Sequence, residues 1–146
     1  MSDMRLVVAG AAGRMGRMLV QVINATPGAV VAGALERPGS TALGLDAGLL
    51  AGIGDIGVPV TDDPLQALVK ADGVIDFTIP ASTVELSAIA AQARIVHVIG
   101  TTGLTADDLA DLEVRARSVS RALLVAPNFA LGVLLMIRFA AEAARW

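Results

Sequence analysis

The stretch from Val7 to Gly16 constrains the fold of this chain more than any other part of the sequence. A short β-branched run leads into a turn that contains Gly10, Gly13 and Gly16, and an amphipathic pattern follows at once. A strand, a glycine-rich turn and a helix in this order are typical of dinucleotide-binding folds, because the helix N-terminus presents free amides and a positive dipole end to phosphate. The spacing is a shifted G-x-x-G-x-x-G, since Ala11 occupies the usual first position. The pattern alone leaves open a strand-to-helix turn that binds no ligand.

An acidic side chain strengthens the nucleotide-binding interpretation. Apolar runs at residues 6–9 and 29–35 are predicted to form the first two strands, and Glu36 follows the second of them. Glu36 lies 20 residues after Gly16, where an acidic residue accepts hydrogen bonds from the adenosine ribose hydroxyls in this fold. A solvated loop carboxylate is the alternative. The position of Glu36 between an apolar strand and the loop that begins at Arg37 favours the ribose role.

The composition limits the classes of protein to which the chain can belong. Its 146 residues are enough for one domain with a sizeable core, and with three Phe, one Trp and no Tyr that core must be aliphatic. A net charge of −3 without a basic block gives no footprint for nucleic acid. The absence of cysteine and the single histidine argue against a metal site. Because the sequence contains neither a transmembrane stretch nor a signal-peptide pattern, we expect a cytoplasmic protein that does not bind membranes.

The rest of the chain alternates predicted strands with predicted helices. Further strands are expected at residues 58–60, 73–77, 95–99 and 122–125. Helices are expected at about 14–24, from 64, at 80–93, from 105, and at 131–146. This alternation predicts an α/β fold, a doubly wound parallel sheet of the Rossmann-like type.

Three of these helices carry apolar residues at helical spacing, which we expect to face the sheet. In the first helix they are Met15, Met18, Leu19, Val22 and Ile23. In the helix capped by Asp63, with Pro64 at its first position, they are Leu65, Leu68 and Val69. In the helix that a Thr105–Asp108 capping box begins, they are Leu109 and Leu112.

Three loops are predicted to converge at the carboxyl edge of the sheet, where open α/β sheets bind their ligands. They are the turn at 10–16, the pair Phe77-Thr78 and the turn at 100–103, and the segment 126–129 is expected beside them. His97 lies inside the strand that precedes the third loop, and we interpret it as a hydrogen-bonded core residue rather than a catalytic one.

Two segments receive no role from their pattern. The glycine-rich stretch at 37–59 is predicted to be a long ordered loop or a short helical excursion. The apolar run at 131–139 lies in a predicted helix without a Gly or Pro stop, and something must cover it.

Together, four motifs in this order and spacing resemble the dihydrodipicolinate reductase family over nearly the whole chain. The motifs are Val8-Ala9-Gly10-Ala11-Ala12-Gly13-Arg14-Met15-Gly16, Asp76-Phe77-Thr78, Ile99-Gly100-Thr101-Thr102-Gly103 and Ala126-Pro127-Asn128-Phe129. The resemblance implies an NADH- or NADPH-dependent reductase of lysine and diaminopimelate biosynthesis. Its substrate would be a small cyclic dicarboxylate, 4-hydroxy-tetrahydrodipicolinate, which it reduces to tetrahydrodipicolinate.

The resemblance also implies which residues bind the cofactor. The pyrophosphate would be held by Gly10, Ala11, Ala12, Gly13, Arg14 and Met15. The adenosine ribose would be held by Glu36 and Arg37, and Phe77 would contact the cofactor as well. The nicotinamide end would be lined by Gly100, Thr101, Thr102, Ala126, Pro127, Asn128 and Phe129, with Thr102 close to the substrate. Glu36 favours a free 2′-hydroxyl, whereas Arg14 and Arg37 could pair with a 2′-phosphate, so either cofactor fits.

The resemblance covers the amino-terminal half of the family only. It implies a dinucleotide-binding domain at 1–129, then a hinge and the start of a helix at 130–146 that lead to a substrate and tetramerisation domain. In the family that second domain carries a His-His pair, a general-acid Lys and a Ser-Gly-Thr turn, so no catalytic residue is assigned in this chain and we expect it to be inactive alone. The full-length enzyme is expected to be a homotetramer. At the hinge, Ala130 and Leu134 replace the Ser and Asn usual in the family.

Two other interpretations stay open at this point. One is a stand-alone NAD(P)-binding module without catalysis, and the other is a different two-domain dehydrogenase with a similar first domain. Glu36 and the turn at 100–103 fit the reductase interpretation best.

Overall fold

The computed structural model describes residues 2–119, 123–126 and 128–146. Six strands and six helices alternate along this part of the chain. The strands are β1 Met4–Ala9, β2 Ala29–Leu35, β3 Val60–Thr61, β4 Gly73–Asp76, β5 Val96–Ile99 and β6 Leu123–Val125. The helices are α1 Arg14–Ala25, α2 Ala47–Ala51, α3 Pro64–Leu68, α4 Pro80–Ala93, α5 Ala106–Val119 and α6 Leu131–Ala143.

The six strands form one parallel sheet in the order β3-β2-β1-β4-β5-β6. The direction of strand addition reverses at β1, because β2 and β3 lie on one side of it and β4 to β6 on the other. This arrangement confirms the predicted doubly wound sheet and produces a crevice beside β1 at the carboxyl ends of the strands. The last predicted strand began at residue 122, which lies outside the described residues.

The core consists of two aliphatic clusters, one on each face of the sheet. Val7 belongs to one cluster and the adjacent Val8 to the other, and both are completely buried. Neighbouring residues of a strand point to opposite faces, so the helices that cover each cluster lie on opposite sides of the sheet. This double cover explains why β1 is uninterrupted apolar from Leu6 to Ala9, the part of the strand that approaches the crevice.

The predicted inner face of α1 is wrong in part. Gly16, Val20 and Ile23 are buried, whereas the predicted Met15, Met18 and Val22 are exposed, the last to 60%. Gly16 packs so closely against the turn that a Cβ on it would lie only 2.1 Å from the Gly10 carbonyl oxygen. A glycine at this position lets the helix approach the turn closely, and that approach fixes which stripe is covered.

Two shorter predictions of buried faces are likewise confirmed only in part. In α3, Ala67 and Leu68 are buried, but Leu65 and Val69 are exposed. In α5, Leu112 is buried and Leu109 is 44% exposed. In both helices the buried stripe is therefore narrower than the apolar pattern of the sequence. The predicted caps are confirmed, since the Asp63 carboxylate accepts from Leu65 N and Gln66 N, and Thr105 and Asp108 exchange hydrogen bonds.

A single carboxylate organises the glycine-rich segment between β2 and β3. Asp46 caps α2 and accepts hydrogen bonds from the amides of Gly48, Leu49, Ile56 and Val58 at 2.8–3.1 Å. Partial burial raises the pKa of Asp46, but these four donors outweigh burial and hold the pKa below its usual value. The segment is therefore an ordered loop around a short helix, and the edge strand after it is Val60–Thr61 rather than 58–60.

Helix α6 packs differently from the other helices. Val133 is half-buried, and the other side chains of the helix are exposed, including those of Leu131, Ile137 and Phe139. The described residues therefore do not cover the apolar run at 131–139. Among the helices that the structure describes, none is both long enough and apolar enough to cross a membrane.

Candidate nucleotide-binding site

The glycine-rich turn is held against the end of β2 and leaves helix amides free. Gly10 N and Ala11 N both donate to the Leu35 carbonyl, at 2.9 and 3.0 Å. The first hydrogen bond inside α1 runs from Arg17 N to Gly13 O at 3.0 Å, so the amides of residues 14–16 have no acceptor within the helix. Gly13 is the N-cap and has no side chain that could satisfy them. Free backbone donors at a helix N-terminus, together with the positive end of the helix dipole, form a ready site for a phosphate.

Gly10 adds the close approach that such a site needs. Its φ of 71° is in the left-handed region, and a Cβ there would come within 3.1 Å of Thr78 Cγ2. Any larger residue would be strained and would crowd the loop that follows β4. The backbone of the turn is consequently bare on the side that faces the crevice.

Glu36 lies directly beside this turn, as the spacing of the sequence predicted. Its Oε1 accepts a hydrogen bond from Ala12 N at 2.9 Å, and Arg37 N approaches Oε2 at 3.3 Å. The carboxylate is half-buried and bonded to backbone, so it is fixed rather than swinging in solvent. This contact joins a predicted ribose ligand to a predicted pyrophosphate ligand.

A cavity of about 430 Å³ opens next to Glu36 at the carboxyl ends of β1, β2 and β4. Its lining brings together five predicted cofactor-binding residues, namely Gly10, Gly13, Glu36, Arg37 and Phe77. Thr78, which also lines the cavity, was expected at this edge of the sheet but was not assigned as a cofactor ligand. The other lining residues had no predicted role at the site; they are Ala9, Leu35, Pro38, Asp62, Pro64, Ile79, Ser82, Glu85, Leu86 and Ile89. Asp62 follows β3 immediately, so the rule that ligands bind at the carboxyl ends of strands could have found it. The positions of Ser82 and Glu85 on α4 gave no comparable signal.

The charges around this cavity are mostly negative. Glu36, Asp62 and Glu85 line it, and among the described lining residues Arg37 alone is cationic. Apolar side chains such as Ile79 and Leu86 complete the wall. These lining residues suit a flat apolar ring that carries hydroxyl groups. The apolar side chains can pack against the ring, and the carboxylates can accept hydrogen bonds from the hydroxyls.

Phe77 links the cavity to the turn at 100–103. A Cβ on Gly100 would lie 2.1 Å from the Phe77 ring, so the absence of a side chain at 100 lets this ring lie across the end of β5. Phe77 also contacts Phe129, with ring centroids 5.9 Å apart and an interplanar angle of 52°. Phe77 therefore joins the loop after β4 to the turn at 100–103 and to Phe129, in segments that were expected to lie close together at the carboxyl edge of the sheet.

Behind these loops lies a network of buried polar side chains. Asp76 is completely buried, and its Oδ2 is 3.2 Å from Nε2 of His97, which is also buried. Its Oδ1 accepts from the backbone and the hydroxyl of Thr78 at 2.9 and 2.6 Å. Burial raises the pKa of Asp76, but the hydrogen bonds from His97 and Thr78 outweigh burial and lower it. The interpretation of His97 as a hydrogen-bonded core residue is confirmed, although its Nδ1 has no partner among the described residues.

The remaining predicted cofactor-binding residues occupy varied environments. Thr101 is buried and its hydroxyl bonds to other side chains, whereas Thr102 is exposed. Asn128 Oδ1 accepts from Ala130 N at 2.7 Å, and Ala126 N donates to Ile99 O at 3.0 Å. Arg14 and Met15 are exposed at the start of α1, and the predicted contact at Pro127 lies outside the described residues. In the described parts of the chain, no group of three or more potential ligand side chains could hold a metal ion.

Comparisons with known proteins agree with this geometry. The family model described as dihydrodipicolinate reductase, N-terminus, matches residues 4–129. The 4-hydroxy-tetrahydrodipicolinate reductase of Methylocella silvestris is 57% identical over 145 residues, which are 99% of this chain and 53% of that protein. The enzyme of the same name from Beijerinckia indica is 57% identical over 93% of this chain and 49% of its own length.

A solved structure gives the same result. The dipicolinate-bound dihydrodipicolinate reductase from Paenisporosarcina sp. TG-14 superposes with a TM-score of 0.77 at 29% identity. The match covers 99% of this chain and 54% of that protein. The chain therefore spans about half the length of the relatives that it matches.

Proposed function

We propose that this chain, which belongs to the dihydrodipicolinate reductase family, supplies the nicotinamide-dinucleotide-binding half of an enzyme that reduces 4-hydroxy-tetrahydrodipicolinate. Residues 1–129 are the dinucleotide-binding domain, and 130–146 form a hinge and the start of a helix that leads to a substrate domain. The complete enzyme would be a homotetramer acting in the cytoplasm in lysine and diaminopimelate biosynthesis.

One observation supports the proposal above all others. The Glu36 carboxylate is hydrogen-bonded to Ala12 N inside the glycine-rich turn, and the open amides of residues 14–16 lie at the end of the same turn. A dinucleotide needs an acceptor for the ribose and donors for the pyrophosphate within a few ångströms of each other. Glu36 supplies the acceptor and the turn supplies the donors, and a side chain at Gly10 or Gly16 would disrupt the turn.

The proposal divides the chemistry between cofactor and protein. The reduced nicotinamide would supply a hydride to the substrate. The residues of this chain would bind and orient, with the adenosine ribose on Glu36, the pyrophosphate on the amides of 14–16 and the nicotinamide end along 100–102 and 126–129. Thr102, which is exposed at that end, would lie close to the substrate.

The charges around the cavity favour NADH over NADPH. A 2′-phosphate placed on the ribose would approach Glu36, and the cavity also presents Asp62 and Glu85. Arg37 is the one lining cation that could pair with the phosphate. We therefore expect NADH to bind about tenfold more tightly than NADPH, a difference of ~1.4 kcal/mol.

The test is a titration of the chain with NADH, NADPH and ADP-ribose by calorimetry. Glu36→Ala should weaken NADH binding by about tenfold or more, because a charge-assisted hydrogen bond is lost, and should weaken NADPH binding much less. Glu113→Gln, on the exposed face of α5 away from the cavity, is the matched control and should leave all three affinities unchanged. Equal losses of NADH and NADPH with Glu36→Ala would contradict the ribose role. An unchanged chain that binds none of the three ligands would contradict the proposed function itself.

A further inference from the structure

Four completely or almost completely buried polar side chains lie directly behind the loops that would face the nicotinamide. Asp76, Thr83, His97 and Thr101 are all at most 3% exposed, and they come from β4, α4, β5 and the turn after β5. Burying polar groups costs free energy unless they are hydrogen-bonded to one another. Four such side chains lie together here, and they form hydrogen bonds between elements that apolar residues could not form.

Thr83 occupies a central position in this network. Its hydroxyl lies 2.7 Å from the hydroxyl of Thr101 and 3.5 Å from that of Thr78. Thr101 in turn points its hydroxyl at Asp76 Oδ1, 3.4 Å away, and Thr78 donates to the same oxygen at 2.6 Å. One hydroxyl on α4 thus connects the loop after β4 with the loop after β5.

Thr101 directly precedes Thr102 in the turn at 100–103. Thr101 is buried and its hydroxyl is bonded to that of Thr83, while Thr102 is exposed. If the Thr83 hydroxyl were removed, the buried hydroxyl of Thr101 would keep only its longer hydrogen bond to Asp76 Oδ1, at 3.4 Å, and the turn at 100–103 would be held less firmly. The adenosine side has separate supports, since Glu36 is held by Ala12 N and the glycine-rich turn by Leu35 O.

We propose that Thr83 is a positioning residue for the nicotinamide end of the site, acting through Thr101 on the turn at 100–103. The inference rests on the proposed function, because it assumes that a nicotinamide dinucleotide binds across both sides of the crevice. The inference predicts different effects at the two ends of the dinucleotide. Loss of the Thr83 hydroxyl should weaken binding of the nicotinamide end and leave binding of the adenosine end unchanged.

Two ligands distinguish the two ends. NADH contains both, and ADP-ribose has the same adenosine and pyrophosphate without nicotinamide. Thr83→Val removes the hydroxyl with little change of shape, and Thr83→Ser keeps the hydroxyl while removing the methyl group. We expect Thr83→Val to weaken NADH binding about fivefold, as for one lost hydrogen bond, and to change ADP-ribose binding by less than twofold. Thr83→Ser should restore NADH affinity to near the original value.

A spectroscopic measurement accompanies the titration. The fluorescence of NADH bound to Thr83→Val should move towards that of free NADH, because the ring is held less firmly, and Thr83→Ser should keep the original signal. A purely structural role of Thr83 would lower the melting temperature without this selective change. If Thr83→Val does not fold, Thr83→Ala removes the same hydroxyl without adding bulk.

Each of the other results overturns the inference. Equal weakening of NADH and ADP-ribose would assign Thr83 to general stability, and a Thr83→Ser chain as weak as Thr83→Val would assign the effect to the methyl group. If the unchanged chain binds ADP-ribose as tightly as NADH, the nicotinamide end contributes nothing and the inference fails while nucleotide binding stands. If it binds neither ligand, the proposed function fails as well.

Discussion

The two sides of the crevice are built on opposite principles. On the first side, formed by the turn at 10–16 and Glu36, the groups that would meet a ligand are backbone amides and one half-buried carboxylate. On the second side, formed by Asp76, Thr83, His97 and Thr101, the polar side chains are buried and bonded to one another. The first side leaves its hydrogen-bonding capacity open to the crevice, and the second uses that capacity to hold two loops in place.

The difference shows where each side is vulnerable. The first side depends on the absence of side chains, so added atoms damage it. The second side depends on specific atoms being present, so removing them damages it. The variants below test this contrast, beginning with the largest expected effect.

Adding one methyl group to the first side should be the most damaging change. A Cβ on Gly16 would lie 2.1 Å from Gly10 O and 2.7 Å from Ala11 Cα, and both are backbone atoms that cannot rotate away. We expect Gly16→Ala to reduce the free energy of unfolding by about 3 kcal/mol, measured by urea denaturation. Gly132→Ala adds the same methyl group in α6, where a Cβ would meet nothing within 4 Å. This control should be neutral or slightly stabilising, and similar losses in both variants would refute the argument from close approach.

Removing a charge from the second side should have the next largest effect. Asp76→Asn keeps the shape of the side chain but replaces an acceptor oxygen by a donor, which opposes the donors of Thr78 and His97. At neutral pH we expect a loss of about 2 kcal/mol in the free energy of unfolding.

The pH dependence of that loss follows from the direction of the Asp76 shift. Its pKa is lower in the folded protein than in the unfolded chain, so the ionised carboxylate stabilises the fold above the unfolded value of about 3.9. This stabilisation disappears as the pH falls through the folded pKa. The difference between Asp76→Asn and the unchanged chain should therefore be largest near pH 7 and shrink in acid. A difference that stays constant from pH 7 to pH 3 would show that the charge is not responsible.

Gly100 sharpens the contrast because it lies between the two sides. A Cβ there would meet atoms of the Phe77 ring at 2.1–2.6 Å, and a ring at the end of a side chain can move. Gly100→Ala should consequently cost less than Gly16→Ala, about 1–2 kcal/mol. In a double-mutant cycle with Phe77→Ala most of this cost should vanish, since the obstructing ring is gone. An unchanged cost in the double variant would locate the strain elsewhere.

An exposed carboxylate gives the smallest expected effect and a reference for Asp76. Asp72 forms a salt bridge with Arg5 at 2.9 Å, and the Arg5 guanidinium lowers the pKa of Asp72 to about 2. The stabilisation is present above the unfolded pKa of about 3.9 and is lost as the pH falls towards 2. Both side chains are close to half exposed, so Asp72→Asn should be slightly destabilising and the effect should vanish at high salt. The loss from Asp76→Asn should persist in the same salt, because its charge is buried.

Much of the first side could be predicted from the sequence, because its elements are local. The turn at 10–16 lies in one stretch of chain, and Glu36 is placed by the length of the helix and strand between them. The inner face of α1 could not be predicted in full, since Gly16 is not apolar and so does not contribute to a periodicity of apolar residues. The close approach of Gly16 to Gly10 decides the face, and that is a tertiary contact.

The second side escaped prediction for a related reason. A hydrogen bond was expected for His97, but its partner is Asp76, on the neighbouring strand and 21 residues away. Thr83 lies on α4 among several other small residues, and nothing in the sequence of this helix distinguishes it. Only the parallel pairing of β4 with β5 and the packing of α4 bring these side chains together. Sequence motifs and apolar periodicity carry no information on which strands and helices pair in this way.

The Asp46 carboxylate has a consequence for the dynamics of the segment between β2 and β3. It accepts hydrogen bonds from two amides at the start of α2 and from two more at Ile56 and Val58. Because one side chain protects all four amides, its release would expose them to solvent together. Their hydrogen-exchange rates should therefore be correlated, and should rise together in Asp46→Ala. Residues 46–58 would then open and close as one small cooperative unit beside a sheet that stays folded.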